Sequence, residues 1–248
     1  CNCLMVCRLC AVNIKSSLRK AETWAKPLPN NRPEWVHQIF AISRIGAIMV
    51  PINTRVRSDD AAYVLSQSEC STLITHDRSG PIDYWALAQE MPPNSARFPH
   101  LKRIIIKTGD LNATAPIGTM HWATVATNTD NALEGELRRR ADAVVRDDPA
   151  FIMYTSGTTG FPKGVVRSHE FLRNQVDRVK NLGTTEKDVM YNYLPLFHIF
   201  GYLDGPMLTM AAGNRLILTE TFDPEACLDA IEKEGVTQIS AGRARERL

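Results

Sequence analysis

Trp35, Val36, Ile39, Phe40, Ile42 and Ile45 recur at near-helical spacing. The pattern predicts a helix over 33–50, with Pro33 suited to its first turn. Gly46 and Pro51 punctuate the exit, and 47–51 can open a buried strand. Ser58-Asp59-Asp60 reads as a cap for a helix over 61–67. Short β-branched and apolar runs at 71–75, 103–107, 151–154, 189–194, 215–219 and 236–240 read as strands. Residues 168–182 and 224–234 read as helices, and 94–98 and 109–118 as loops. This alternation predicts an α/β fold, a largely parallel sheet flanked by helices. Arg138-Arg139-Arg140 lies among Glu134, Glu136 and Asp142, the mark of a solvated helix face. There is no internal repeat and no low-complexity tract.

Composition narrows the class only a little. The chain has 248 residues, 44% hydrophobic and 23% charged, which is ordinary for a globular protein and excludes a wholly disordered, collagen-like or coiled-coil chain. The length suits one large domain or two small ones. Lys plus Arg is 29 against 27 for Asp plus Glu, so no charge excess points to nucleic acid. The apolar stretch 45–52 is far short of the ~20 residues of a membrane span. No transmembrane segment is expected. The first ten residues lack the basic leader and small-residue cleavage site of a signal peptide. A cytoplasmic location is the expectation, with an organelle or a membrane surface left open. Cys1, Cys3, Cys7 and Cys10 crowd into ten residues with no His nearby, unlike the separated ligand pairs of a structural zinc site. No metal ligands are assigned.

Chemistry concentrates in Tyr154-Thr155-Ser156-Gly157-Thr158-Thr159-Gly160-Phe161-Pro162-Lys163-Gly164. The motif follows a predicted strand and is expected to run into a helix. Its glycines allow close backbone approach. The hydroxyls of Thr155, Ser156, Thr158 and Thr159 offer donors, successive backbone N–H groups can form an anion nest, and Lys163 adds positive charge. That is what gripping a polyphosphate requires. It is not a Walker A loop, because Pro162 replaces the second Gly and Gly164 the metal-binding Ser/Thr. A flexible surface loop shares the composition. The strand–loop–lysine order favours phosphate.

This segment resembles the phosphate-binding signature of the AMP-forming acyl-CoA synthetases. They belong to the adenylate-forming superfamily, with the luciferases and peptide-synthetase adenylation domains. Two further stretches agree in order. Leu28-Pro29-Asn30-Asn31-Arg32-Pro33-Glu34-Trp35, followed by Gly46-Ala47-Ile48-Met49-Val50-Pro51-Ile52-Asn53, is similar to the family's early helix and strand. Tyr193-Leu194-Pro195-Leu196-Phe197-His198-Ile199-Phe200-Gly201 is similar to its motif beside the acyl and adenylate pocket. The resemblance covers about 28–240 and implies part of the large N-terminal domain of an adenylate-forming enzyme. Residues 1–27, an aberrant or unstructured terminus, and the tail 241–248 do not match.

The implied protein is an ATP-dependent acid–CoA ligase. It activates a small-molecule carboxylic acid as acyl-AMP and passes the acyl group to coenzyme A. Thr155, Ser156, Gly157, Thr158, Thr159, Gly160 and Lys163 would hold the β- and γ-phosphates of ATP, with Mg²⁺ offsetting their charge. His198 would shape the pocket rather than act as a base. The plain Leu-Pro-Leu-Phe-His form suggests a fatty-acyl or aryl substrate, by family analogy.

Full members of the family continue into Tyr-Gly-x-Thr-Glu and Thr-Gly-Asp segments and a C-terminal domain with a catalytic Lys. None occurs in these 248 residues, so the expectation is a fragment not competent alone. A non-catalytic, pseudogene-like or partner-binding fragment is the alternative. A β-lactamase-type serine hydrolase is remote. Ser17-Leu18-Arg19-Lys20 and Lys107-Thr108-Gly109 match its short motifs, but Ser58-Asp59-Asp60 falls short of S-D-N. His169-Glu170 is followed by Arg173 where a zinc protease needs His.

Overall fold

The computed structural model describes residues 23–26, 31–53, 58–79, 82–108, 118–127, 132–155 and 161–240. The chain divides into two compact units, 1–29 with 36–169, and 30–35 with 170–248. The cysteine cluster at 1–10, the Ser17–Lys20 tetrapeptide and the tail 241–248 lie outside the described residues.

The first unit is built on a sheet with the order β7-β6-β3-β1-β2-β8-β9 among the described residues. Its strands are β1 (Thr23–Lys26), β2 (Ile48–Pro51), β3 (Cys70–His76), β6 (Arg103–Lys107), β7 (Thr119–His121), β8 (Pro149–Thr155) and β9 (Lys163–Ser168). A small antiparallel ribbon, β4 (Arg78–Ser79) with β5 (Ile82–Asp83), lies apart from it. Every neighbouring pair in the large sheet is parallel except β8 with β9. The expected α/β architecture with a largely parallel sheet is therefore what the chain forms.

Two differences from the sequence reading have physical causes. Residues 23–26 were expected in an unstructured terminus, yet they form β1, paired between β2 and β3. Four residues are too few to show a period, and this strand exists through long-range pairing. The helix expected over 33–50 ends earlier. It is α1 (Pro33–Arg44), and Gly46 adopts φ +69°, the left-handed conformation that stops a helix and favours glycine. The next residues then extend into β2, buried at every position.

Helices α2 (Ser58–Gln67), α3 (Tyr84–Gln89), α4 (Trp122–Thr127) and α5 (Ala132–Ala143) complete this unit. Asp83 caps α3 by accepting from the Ala86 N–H at 2.9 Å. Strand β3 is buried along its whole length, as a central parallel strand must be. Its Leu73 joins Val50, Leu65, Ile104 and Ile106 in the core. On α5, Arg138 and Arg139 lie on the solvated face that the sequence predicts, while the Arg140 side chain is only 12% exposed. Arg138 pairs with Glu134, and Arg139 and Arg140 both pair with Glu136. Hydrogen bonds from Arg139 and then Arg140 hold the Glu136 carboxyl down at about 2.

The second unit is a parallel three-stranded sheet in which β10 (Val189–Asn192) lies between β11 (Arg215–Leu218) and β12 (Gln238–Ile239). Helix α6 (Glu170–Leu182) precedes it. After β10 come α7 (Ile199–Tyr202), a π-helical segment at Leu203–Met207, and α8 (Leu208–Ala212). Helix α9 (Pro224–Glu234) starts as expected, with Asp223 accepting from the Glu225 and Ala226 N–H groups and Pro224 in the first turn. Trp35 packs edge-on against Tyr202, ring centroids 5.8 Å apart. No helix among the described residues is long and apolar enough to cross a membrane.

Candidate functional site

The 154–164 motif runs from the end of β8 to the start of β9. Thr155 ends β8 and pairs in register with Lys163, the first residue of β9. The Thr155 hydroxyl donates to the Lys163 carbonyl at 3.5 Å. Both residues are exposed. Ser156, Gly157, Thr158, Thr159 and Gly160 lie outside the described residues.

The expectation that this loop leads into a helix is corrected. It leads into an antiparallel strand, and helix resumes only at Glu170. Val165 and Val166 favour the extended chain. Gly164 permits its close pass over β8, because a Cβ there would lie 2.9 Å from Ile152 Cγ2 and 3.2 Å from Tyr154 Cζ. No helix N-terminus therefore follows the loop directly. Charge on a bound anion would fall to hydroxyls, backbone N–H groups and Lys163.

Both ends of the loop are tied to one face of α2, which the sequence reading missed. The Tyr154 hydroxyl donates to Gln67 Oε1. Phe161 stacks on Tyr63 with centroids 5.1 Å apart and planes at 27°. Tyr63 and Gln67 are four residues apart, hence neighbours on the helix surface. Burial, then the neighbouring Tyr63, pushes the Tyr154 hydroxyl up to about 12, so it is a neutral donor at physiological pH. The i, i+4 pair is visible in the sequence, but nothing local says what it meets.

His198 belongs to the second unit. It is exposed, and it caps α7 by accepting the Phe200 N–H at Nδ1, 3.3 Å away. With the Nδ1 lone pair used, the neutral ring carries its proton on Nε2. The His198 N–H donates to the Pro195 carbonyl at 3.0 Å, closing the turn before the helix.

These features fit a nucleotide triphosphate. The loop ends present a hydroxyl and a cation on the exposed edge strand of a sheet, next to a segment rich in Gly, Ser and Thr. For Mg²⁺ the fit is indirect. Among the described residues no group of three or more His, Cys, Asp or Glu side chains could hold a metal ion. The cation would rest on the phosphate oxygens and water, its usual arrangement with nucleotides.

Comparison with known proteins identifies the family. The family model described as AMP-binding enzyme matches residues 28–241. The Bacillus subtilis protein YngI is 31% identical over 221 residues, covering 85% of this chain and 40% of its own length. Crotonobetaine/carnitine–CoA ligase of Salmonella agona is 31% identical over 221 residues, covering 89% and 40%. The chain thus spans about 40% of the length of these relatives. Among solved structures, o-succinylbenzoate CoA synthetase from Bacillus subtilis, in complex with its acyl-adenylate intermediate, superposes with a TM-score of 0.64 at 25% identity. That match covers 96% of this chain and 52% of the other. With the family match running over nearly all of the described sequence, the chain belongs to the AMP-binding enzyme family, within the adenylate-forming superfamily that its loop and turn motifs resemble.

Proposed function

We propose that this chain supplies the ATP-gripping part of an AMP-forming acid–coenzyme A ligase. The observation that carries the reading is the β8–β9 loop, with Thr155 and Lys163 at its mouth and α2 tying down both flanks. In the reaction, a carboxylate oxygen attacks the α-phosphorus of ATP, and the bond to the β-phosphate's bridging oxygen breaks. Acyl-AMP and pyrophosphate result. The sulfur of coenzyme A then attacks the acyl carbon and AMP leaves.

Two anions, the carboxylate and the triphosphate, must meet in the first step, so the chain's task is neutralisation and alignment. Lys163 faces the triphosphate as a point charge. Thr155, Ser156, Thr158 and Thr159 donate hydroxyl protons, and Gly157 and Gly160 open their N–H groups to the β- and γ-phosphates. His198 lines the acyl and adenylate pocket through its Nε2–H. Mg²⁺, when bound, offsets phosphate charge. The acid is a fatty or aryl carboxylic acid, in keeping with the Leu194-Pro195-Leu196-Phe197-His198 turn.

Calorimetric titration of the chain with ATP in the presence of Mg²⁺ tests this reading. Lys163→Ala is expected to weaken ATP by roughly 10- to 100-fold, the value of one charge-assisted hydrogen bond to phosphate. Equal binding by wild type and variant, or no binding by a folded wild type, would sink the assignment of the loop.

A further inference from the structure

Between β10 and α7 the chain crosses six residues, 193–198, with no regular secondary structure. Its backbone groups need partners. Two asparagines supply them. Asn192 is fully buried; its Oδ1 accepts from the Leu194 N–H at 3.2 Å and its Nδ2 donates to the Gly201 carbonyl at 3.2 Å. Asn31 is 4% exposed; its Nδ2 donates to the Leu194 carbonyl at 2.9 Å and its Oδ1 accepts from the Leu196 N–H at 3.1 Å. Each amide therefore uses both its donor and its acceptor on the same short segment, one from 163 residues away.

The geometry leaves little slack. Asn192 clamps the turn from its start at Leu194 to Gly201 in the first turn of α7. A Cβ at Gly201 would lie 2.3 Å from the Pro195 carbonyl oxygen. His198 sits inside this span. Ser or Asp would cap α7 as well as His does. With Nδ1 accepting, the exposed imidazole carries one N–H, on Nε2, across the ring from the cap, a donor that Asp lacks.

We infer that Asn31 and Asn192 are positioning residues that lock the 194–201 backbone, so that His198 presents Nε2–H as a fixed hydrogen-bond donor to a carboxylate or phosphate oxygen. The donor's functional meaning rests on the reading of His198 as a pocket residue. Its fixed tautomer does not.

The test is a long-range ¹H–¹⁵N correlation of the imidazole rings in the full chain, with His198→Gln to assign one ring among the six histidines. Wild type is expected to show His198 as a single tautomer, protonated on Nε2. Asn31→Ala and Asn192→Ala are expected to average the two tautomers while far-UV circular dichroism stays at the wild-type value. A wild-type ring that already averages, or folded variants that keep the wild-type signature, overturns the inference. Should the variants not fold, amide exchange in wild type decides. The Leu194 and Leu196 amides should exchange at least about tenfold slower than free amides, as net hydrogen bonds of ordinary strength give. Unprotected amides overturn the inference. A wild type that shows the fixed tautomer yet binds no ATP supports the positioning role and refutes only the nucleotide reading.

Discussion

Gly201→Ala puts the turn before α7 under a load that the backbone geometry defines. A Cβ at this position would stand 2.3 Å from the Pro195 oxygen, 2.6 Å from the Leu194 oxygen and 2.8 Å from the Leu194 carbonyl carbon. All three are backbone atoms, so no side chain can swing aside. The Pro195 carbonyl must recede by roughly 1 Å to reach ordinary contact. It accepts the His198 N–H, and the Leu194 carbonyl accepts the Asn31 amide, so both bonds stretch or break. Overpacking costs about 1–3 kcal/mol, and two hydrogen bonds add about 1 kcal/mol each. Alanine's better helix propensity returns about 1 kcal/mol. The net expectation is a loss of about 2–4 kcal/mol, a large share of the ~5–15 kcal/mol that holds a domain folded. Gly135→Ala is the control. It lies exposed in α5 with nothing within 4 Å of the added carbon, and should gain about 0.5–1 kcal/mol. Urea unfolding followed by circular dichroism reads both. At about 1–3 kcal/mol per molar urea, the Gly201→Ala midpoint should fall by about 0.7 M or more. A midpoint within about 0.2 M of wild type would refute the close-approach argument.

Other consequences are as direct. Tyr63→Ala removes the ring under Phe161. The stack is worth about 0.5–1.5 kcal/mol, so ATP affinity should drop by about two- to tenfold, measured by calorimetry. An unchanged affinity would mean the loop is not held from α2. Glu136 has its carboxyl held at about 2 by Arg139 and Arg140, against an ordinary 4.5. Because the folded value is lowered, its stabilisation is present above about pH 4.5 and lost as the pH falls toward 2. Glu136→Gln should flatten the acid limb of the stability profile, and an identical limb would count against the pairing. Burial pushes His169 below its ordinary 6.5. The unfolded chain then takes up a proton the folded chain resists, so stability should decline as pH drops below about 6.5. His169→Leu should remove that part of the slope in urea midpoints measured against pH.

The sequence by itself determined the class of fold, the family, and most elements whose pattern is local. Helix α9 was legible from Pro224 near its start, because first-turn preferences act locally. The same holds for the arginine face of α5. The 154–164 motif stood out in the sequence because glycine, hydroxyl and lysine in that order are what gripping a polyphosphate would require. Where neighbours in space decide, the sequence was silent or misleading. Strand β1 has four residues and no period, and only pairing between β2 and β3 makes it a strand. The loop turns into β9 rather than a helix because Gly164 can lie flat against Ile152 and Tyr154 on β8. The α2 anchor for that loop joins Tyr63 to Phe161 and Gln67 to Tyr154. Asn31 reaches a turn 163 residues onward. The β1, α2 and Asn31 contacts follow from how the chain folds back on itself, and no short window along it contains both partners.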